Sequence, residues 1–337
     1  MDERWDIFCK VVDNYGDAGV AWRLAREVAR EHGKRVRLWL GALEVLAVIR
    51  PEIDATRDTQ ELEGVEVVRW REDFTPADVA DVVVETFGCD PPPAYVLAMA
   101  ERSPRPRWIN LEYLSAEDWV EGSHALPSPH TKLPLVKHYF FPGFTRKTGG
   151  LLREGDLVAR REAWRLSHPR EPGLRASVFA YPSAPVDELL AAFRASDPPV
   201  EAIRPGVDTP FLQQDRYDEL LWSCDVNFVR GEDSFLRAQW AARPFIWHIY
   251  PTEDGAHWIK LSAFLARYTE GLDRPDAAAV TALWEAWNRG EGVAKAWEEF
   301  RARLPALGAH ARSWADRQAS RTDLASAIVD FADHVLK

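Results

Sequence analysis

The sequence predicts an α/β protein built from two doubly wound parallel-sheet domains. Three observations carry this. The chain opens strand–helix–strand and keeps alternating short apolar runs with amphipathic ones, the order that produces parallel sheets covered on both faces. The alternation breaks once, over a Pro- and Gly-rich stretch, and then resumes. The 337 residues, 46% of them hydrophobic, suffice for two domains with sizeable cores.

The run Trp5–Val12 is short, apolar and β-branched, which reads as a buried strand. A turn follows at Asp13–Asp17. Val20, Leu24, Ala25 and Val28 then recur at helical spacing, with Arg23, Arg26, Glu27 and Arg30 on other faces, and Gly33 stops the helix. RVRLWL is the second strand, and VEVVRW, DVVVETFG and RWINLEYL are further strands. From Pro127 to Pro172 the composition shifts to Pro, Gly and basic residues, read as loops followed by the polar helix DLVARREAWRLSH. This is the domain boundary, with a first domain over residues 1–165 and a second over 172–318. Beyond it RASVFAY restarts a strand, CDVNFVR leads into the helix DSFLRAQWAA, and PFIWHIY is the next strand. The last third is helical, with tryptophans such as Trp284 and Trp287 at core spacing.

Several function classes fall away. The formal net charge of −11 argues against a nucleic-acid binder with a broad basic surface. Cys9, Cys89 and Cys224 are far apart and form no CxxC pair, so there is no zinc signature. Cys9 and Cys224 lie in apolar runs and read as buried, which suits a reducing cytoplasm. The charged start MDERWDIFCK is not a signal peptide, and no apolar run is long enough to span a bilayer. No GxGxxG follows the first strand, and Walker A, HExxH and GxSxG motifs are missing. His124, His130 and His138, in the Pro-rich stretch, read as solvated or capping residues rather than metal ligands.

Two short segments carry candidate chemistry. Asp13 and Asp17 stand at the carboxyl end of the first strand, where open α/β sheets bind ligands. A helix cap with an Asx turn explains them; so does a carboxylate placed as a general base, with Gly16 and Gly19 permitting close approach. In FVRGEDSFLRAQW, Arg230 ends a strand, Gly231 turns, and Asp233–Ser234 open a helix. A helix N-terminus with an arginine fork suits a phosphate. A capping Asp-Ser pair beside a surface arginine explains the same residues. Glu232 and Asp233 are acidic, which fits accepting from sugar hydroxyls or orienting Arg230.

The stretches IFCKVVDNYGDAGVAWRLAR, FGCDPP, WINLEYLSAEDWVEGSHALPSP, FFPGFTRKTGGLLRE and CDVNFVRGEDSFLRAQWAARPFIWHIYP together resemble one bacterial family, the protein-arginine rhamnosyltransferases of elongation factor P. The resemblance runs from Asp6 to about Pro251. It implies a GT-B fold, two Rossmann-like domains facing across a cleft, with the C-terminal helix (residues 320–337) returning to the first. It implies transfer of L-rhamnose from dTDP-β-L-rhamnose to an arginine of elongation factor P, with inversion. The family's catalytic aspartates match Asp13 and Asp17, and Glu232 matches a further functional glutamate. Its nucleotide contacts match Phe179 and Tyr181, Phe211 and Gln214, and Arg230, Asp233 and Ser234. Around FAYPS the aromatics stay but their neighbours depart from the family pattern.

On that resemblance Asp17 is assigned as general base and Asp13 as orienting or supporting carboxylate, with the reverse assignment as the alternative. A guanidinium with pKa above ~12 cannot lose its proton to a carboxylate in the ground state. The proton therefore leaves late, as the nitrogen attacks. With no DxD-type motif for the diphosphate, the expectation is a metal-independent enzyme without cofactor, cytoplasmic, touching neither nucleic acid nor membrane. The rival readings are a transferase of the same fold with another sugar or acceptor, and a non-catalytic partner-binding protein.

Overall fold

The computed structural model describes residues 3–12, 14–71, 78–169 and 172–335. They divide into two units, Met1–Glu154 with Arg321–Lys337, and Gly155–Ser320.

In the first unit the elements run β1 (Arg4–Cys9), α1 (Asn14–His32), β2 (Arg35–Leu40), α2 (Leu43–Ile49), β3 (Thr59–Leu62), β4 (Val65–Arg69), β5 (Val82–Thr86), α3 (Pro93–Glu101), β6 (Arg107–Leu111), α4 (Trp119–Ser123), β7 (Pro127–Pro129) and β8 (Val136–Phe140). The sheet order is β3-β4-β2-β1-β5-β6-β8-β7. Only β3 and β7, at the edges, run antiparallel to their neighbours. The parallel strands, renumbered in chain order, give the doubly wound pattern 3-2-1-4-5-6. Strand order therefore reverses between β1 and β5. β1 is buried along almost its whole length, as a central strand covered on both faces must be. Its one acid, Asp6, is fully buried and satisfied by the Arg37 fork at 2.7 and 2.6 Å and by the Tyr95 hydroxyl. Phe8 fills the space beside it, stacked on Trp39 at 5.7 Å and edge-on to Tyr95 at 4.8 Å.

The second unit runs α5 (Leu157–Ser167), β9 (Leu174–Val178), α6 (Val186–Ala195), β10 (Val200–Ile203), α7 (Gln214–Ser223), β11 (Val226–Arg230), α8 (Asp233–Trp240), β12 (Phe245–His248), α9 (Ala256–Tyr268), α10 (Arg274–Arg289), α11 (Val293–Arg301) and α12 (Leu304–Ala319). Its four strands are all parallel, in the order β10-β9-β11-β12, so the reversal falls between β9 and β11. Trp284, Trp287 and Trp297 are completely buried over this sheet, Trp287 edge-on to Phe228 at 4.9 Å. The chain then returns to the first unit as α13 (Leu324–Asp330), which packs on α1. Its return is pinned where the Leu324 N–H donates to the Leu151 carbonyl at 3.0 Å. Gly150 lies beneath at φ 74°, and a Cβ there would meet the Thr322 carbonyl oxygen at 2.3 Å.

Three expectations change. The first strand ends at Cys9, not Val12, because the Val12 N–H is taken by a side chain and Val12 is 71% exposed. The stretch read as loops from Pro127 contains β7 and β8, and β8 pairs along β6 inside the sheet. The first domain ends at Glu154, not 165: α5 packs on α7, and Arg161 and Arg165 donate to the Trp240 and Ala241 carbonyls at the end of α8. His124 and His130 cap as expected, their Nδ1 atoms accepting backbone N–H groups at 3.0–3.2 Å. Among the described residues no helix is long and apolar enough to cross a membrane.

Candidate active site

Each unit presents candidate residues where its strand order reverses, at the carboxyl ends of the strands. That position leaves a crevice in open α/β sheets because the crossover helices diverge there.

In the first unit, β1 hands over to α1 within a few residues, and Asp17 sits in the first turn of that helix. It is buried, 1% exposed, and one carboxylate oxygen accepts the Val12 N–H at 2.8 Å. The backbone bond anchors the β1 exit against the helix and orients the carboxylate. An acid in the first helical turn is also favoured by the helix dipole. Asp13 lies outside the described residues.

In the second unit, Phe179 and Tyr181 follow β9, and Arg230 closes β11. The Arg230 guanidinium carbon lies 4.2 Å from the Phe179 ring centre and 4.8 Å from that of Tyr181. Its Nη1 donates to the Ala180 carbonyl at 3.2 Å. The strand-to-helix turn is closed by Ser234, whose buried hydroxyl accepts the Arg230 N–H at 2.9 Å and donates to the Arg230 carbonyl. Gly231 makes that turn at φ 58°, where a side chain would be strained. Glu232 is the N-cap of α8, half-buried, without a side-chain capping bond. The Asp233 carboxylate accepts from Gln214 Nε2 at 3.0 Å and Arg237 Nε at 3.1 Å, and Arg237 continues to Asp218 at 2.8 Å. Gln214 and Asp233 therefore tie α7 to α8. Phe211 stands edge-on to Phe179 at 6.1 Å. All seven residues expected to hold the donor thus gather at one end of one sheet, around an arginine and a helix N-terminus.

The sequence reading missed the support behind this cluster. His248 pairs with Arg230 across β11 and β12. Its Nδ1 accepts the Tyr181 N–H at 3.3 Å, and its ring stands edge-on to Tyr181 at 5.3 Å. Burial first, then the charge of Arg230, pushes this imidazole down to about 4, so it is neutral and able to accept. Trp247 Nε1 holds the Gly231 carbonyl at 2.7 Å. Asn288 bridges the end of β12, accepting from Ile249 and donating to the Trp247 carbonyl. The signal was there in WHIYP, a polar ring at the carboxyl end of a buried strand.

A family model described as Elongation-Factor P (EF-P) rhamnosyltransferase EarP matches residues 5–209 and 207–333. The protein-arginine rhamnosyltransferase of Pseudomonas putida is 46% identical, over 98% of this chain and 99% of its own. That of Pseudomonas aeruginosa is 43% identical, over 97% and 98%. A solved structure described as the structural basis for EarP-mediated arginine glycosylation of translation elongation factor EF-P is 34% identical, covers 98% of both chains and superposes with a TM-score of 0.63. The two parallel-sheet units are the GT-B plan of glycosyltransferases. With the match running through both units and across both candidate clusters, the chain belongs to the EarP family of protein-arginine rhamnosyltransferases.

Proposed function

We propose that the chain transfers L-rhamnose from dTDP-β-L-rhamnose to an arginine side chain of elongation factor P, inverting the anomeric centre. The observation that carries the donor half is the Arg230 cluster. A guanidinium beside aromatic rings, at the start of a helix, suits a diphosphate attached to a planar base. Phe179 and Phe211 take the thymine, Arg230 and the α8 N-terminus take the diphosphate, and Glu232 accepts from sugar hydroxyls. Asp233, Gln214 and Ser234 hold that surface in shape. The acceptor is drawn from the solved relative, whose description names arginine glycosylation of EF-P.

The acceptor guanidinium nitrogen attacks the anomeric carbon as the carbon–oxygen bond to the diphosphate breaks. The electron pair leaves with dTDP. The nitrogen's proton becomes acidic only as the new bond forms, and passes to Asp17, with Asp13 as supporting carboxylate. Charge developing on the leaving diphosphate is met by Arg230 and helix N–H groups, so no divalent metal is required. The three cysteines are free thiols, in keeping with a cytoplasmic setting.

The experiment is intact-mass measurement of unmodified elongation factor P after incubation with the protein and dTDP-β-L-rhamnose in EDTA. The expected result is a gain of one deoxyhexose, lost with Asp17→Asn while dTDP affinity is kept. A gain that persists in that variant removes Asp17 as base. No gain until magnesium replaces EDTA overturns metal independence.

A further inference from the structure

The donor cluster and Asp17 leave one built feature unused, at the exits of β5 and β6. Phe87 follows β5 at φ 58°, a left-handed conformation that a bulky residue adopts only when its surroundings enforce it. They do. The Phe87 N–H donates to the Leu111 carbonyl at 2.6 Å, and the next N–H, of Gly88, donates to Asn110 Oδ1 at 3.1 Å. Asn110 is buried, and its Nδ2 donates to Glu112 Oε1 at 2.6 Å. One buried amide thus fixes both the turn after β5 and the carboxylate after β6. The result is a flat stack: the Phe87 and Tyr113 rings lie 4.2 Å apart with planes 10° from parallel. Phe87, Glu112 and Tyr113 are all half-buried, so none is sealed in the core.

The strand order is β1-β5-β6. Parallel neighbours are about 4.8 Å apart, so these exits lie one and two strands from the β1 exit that Asp17 anchors. The edge of the sheet therefore runs carboxylate, aromatic stack, carboxylate. A guanidinium is a flat cation that stacks on aromatic faces and pairs with carboxylates. We infer that Phe87, Tyr113 and Glu112 form the seat of the acceptor guanidinium, holding its plane and charge while Asp17 takes the proton. This rests on the reading that the first unit receives an arginine of elongation factor P.

The test is a double-mutant cycle read by calorimetry without donor. Unmodified elongation factor P, and its variant with the acceptor arginine changed to alanine, are titrated into wild type, Tyr113→Leu, Tyr113→Phe and Glu112→Gln. Thermal melts and dTDP affinity check that each variant is folded. Tyr113→Leu and Glu112→Gln should each weaken binding of the unmodified factor about tenfold, with Tyr113→Phe near wild type. The alanine variant of the factor should lose affinity for wild type but little more for Tyr113→Leu, the non-additivity of a direct contact. Additive losses, or unchanged affinity in both Tyr113→Leu and Glu112→Gln, overturn the seat while leaving the acceptor assignment standing. If Tyr113→Leu does not fold, the same cycle with Glu112→Gln decides. A wild type that binds no elongation factor P overturns the acceptor assignment, and the seat with it.

Discussion

Arg230 and His248 are paired across neighbouring strands, and the Arg230 charge adds to burial in keeping the imidazole neutral. With the imidazole at about 4 and its ordinary value near ~6.5, unfolding takes up a proton between those limits. Stability should therefore fall as pH drops from about 6.5 towards 4, and level off below. Glu27 opposes this: burial, with Glu31 and Glu154 adding, pushes it up to about 7. The folded state then holds its proton where the unfolded chain has lost it, so this group's contribution falls as pH rises to about 7. The difference between wild type and His248→Asn isolates the first effect. Chemical denaturation across this range should show a flatter acid limb in the variant, and an unchanged limb would remove His248 as its source. For Arg230→Ala, calorimetry should show dTDP affinity lowered by roughly 1.5–3 kcal/mol, the worth of a charge-assisted bond. Unchanged affinity would take Arg230 out of the phosphate site. Residues such as Arg230 and Ser234 were legible because turn glycine, strand end and helix start are local in sequence. His248 and Asn110 were not, because their partners, Tyr181 and Gly88, are 67 and 22 residues away.

Elements that alternate cleanly were legible: α1, β2, β5, β6, β11, α8 and β12 stand in the stretches where periodicity placed them, and β1 does too, although it ends three residues early. β8 was not. Its residues, VKHYF, carry Lys and His and are flanked by proline-rich turns, a loop-like composition. Lys137 explains the exception, since its ammonium is neutralised at 2.5 Å by buried Glu85 on β5 and lies 4.9 Å over the Trp108 ring. A charge that belongs on the surface by composition is thus accommodated inside by pairing across strands. The return of α13 depends on a close backbone crossing at Gly150. Gly150→Ala adds a Cβ 2.3 Å from the Thr322 oxygen at a residue with φ 74°. We expect a loss of about 1–3 kcal/mol, with hydrogen exchange accelerating first in α13. Unaltered exchange there would mean that the crossing relaxes without strain.

At the scale of the molecule, two units were legible from one break in composition, but the break was placed too late. Helix α5 follows the Pro- and Gly-rich stretch and looks like its tail. What decides its membership is Arg161 and Arg165 reaching carbonyls some 80 residues onward, at the end of α8. The two units reuse one device: a parallel sheet whose order reverses, with the candidate residues at the reversal. Composition can show that such sheets exist. Only strand order shows that Asp17, Phe87 and Tyr113 share an edge, or that Phe179 and Arg230 do.

The return of the last helix has a consequence for synthesis. The second unit is complete in sequence once residue 320 has been made. The first unit, although begun earlier, still lacks α13, the helix that packs on α1. Domains usually fold in the order in which they emerge from the ribosome; here the half that emerges first is finished last. A nascent chain with residues up to 320 outside the ribosome and α13 still inside would hold a complete second unit while the α13-contacting surface of α1 stayed uncovered.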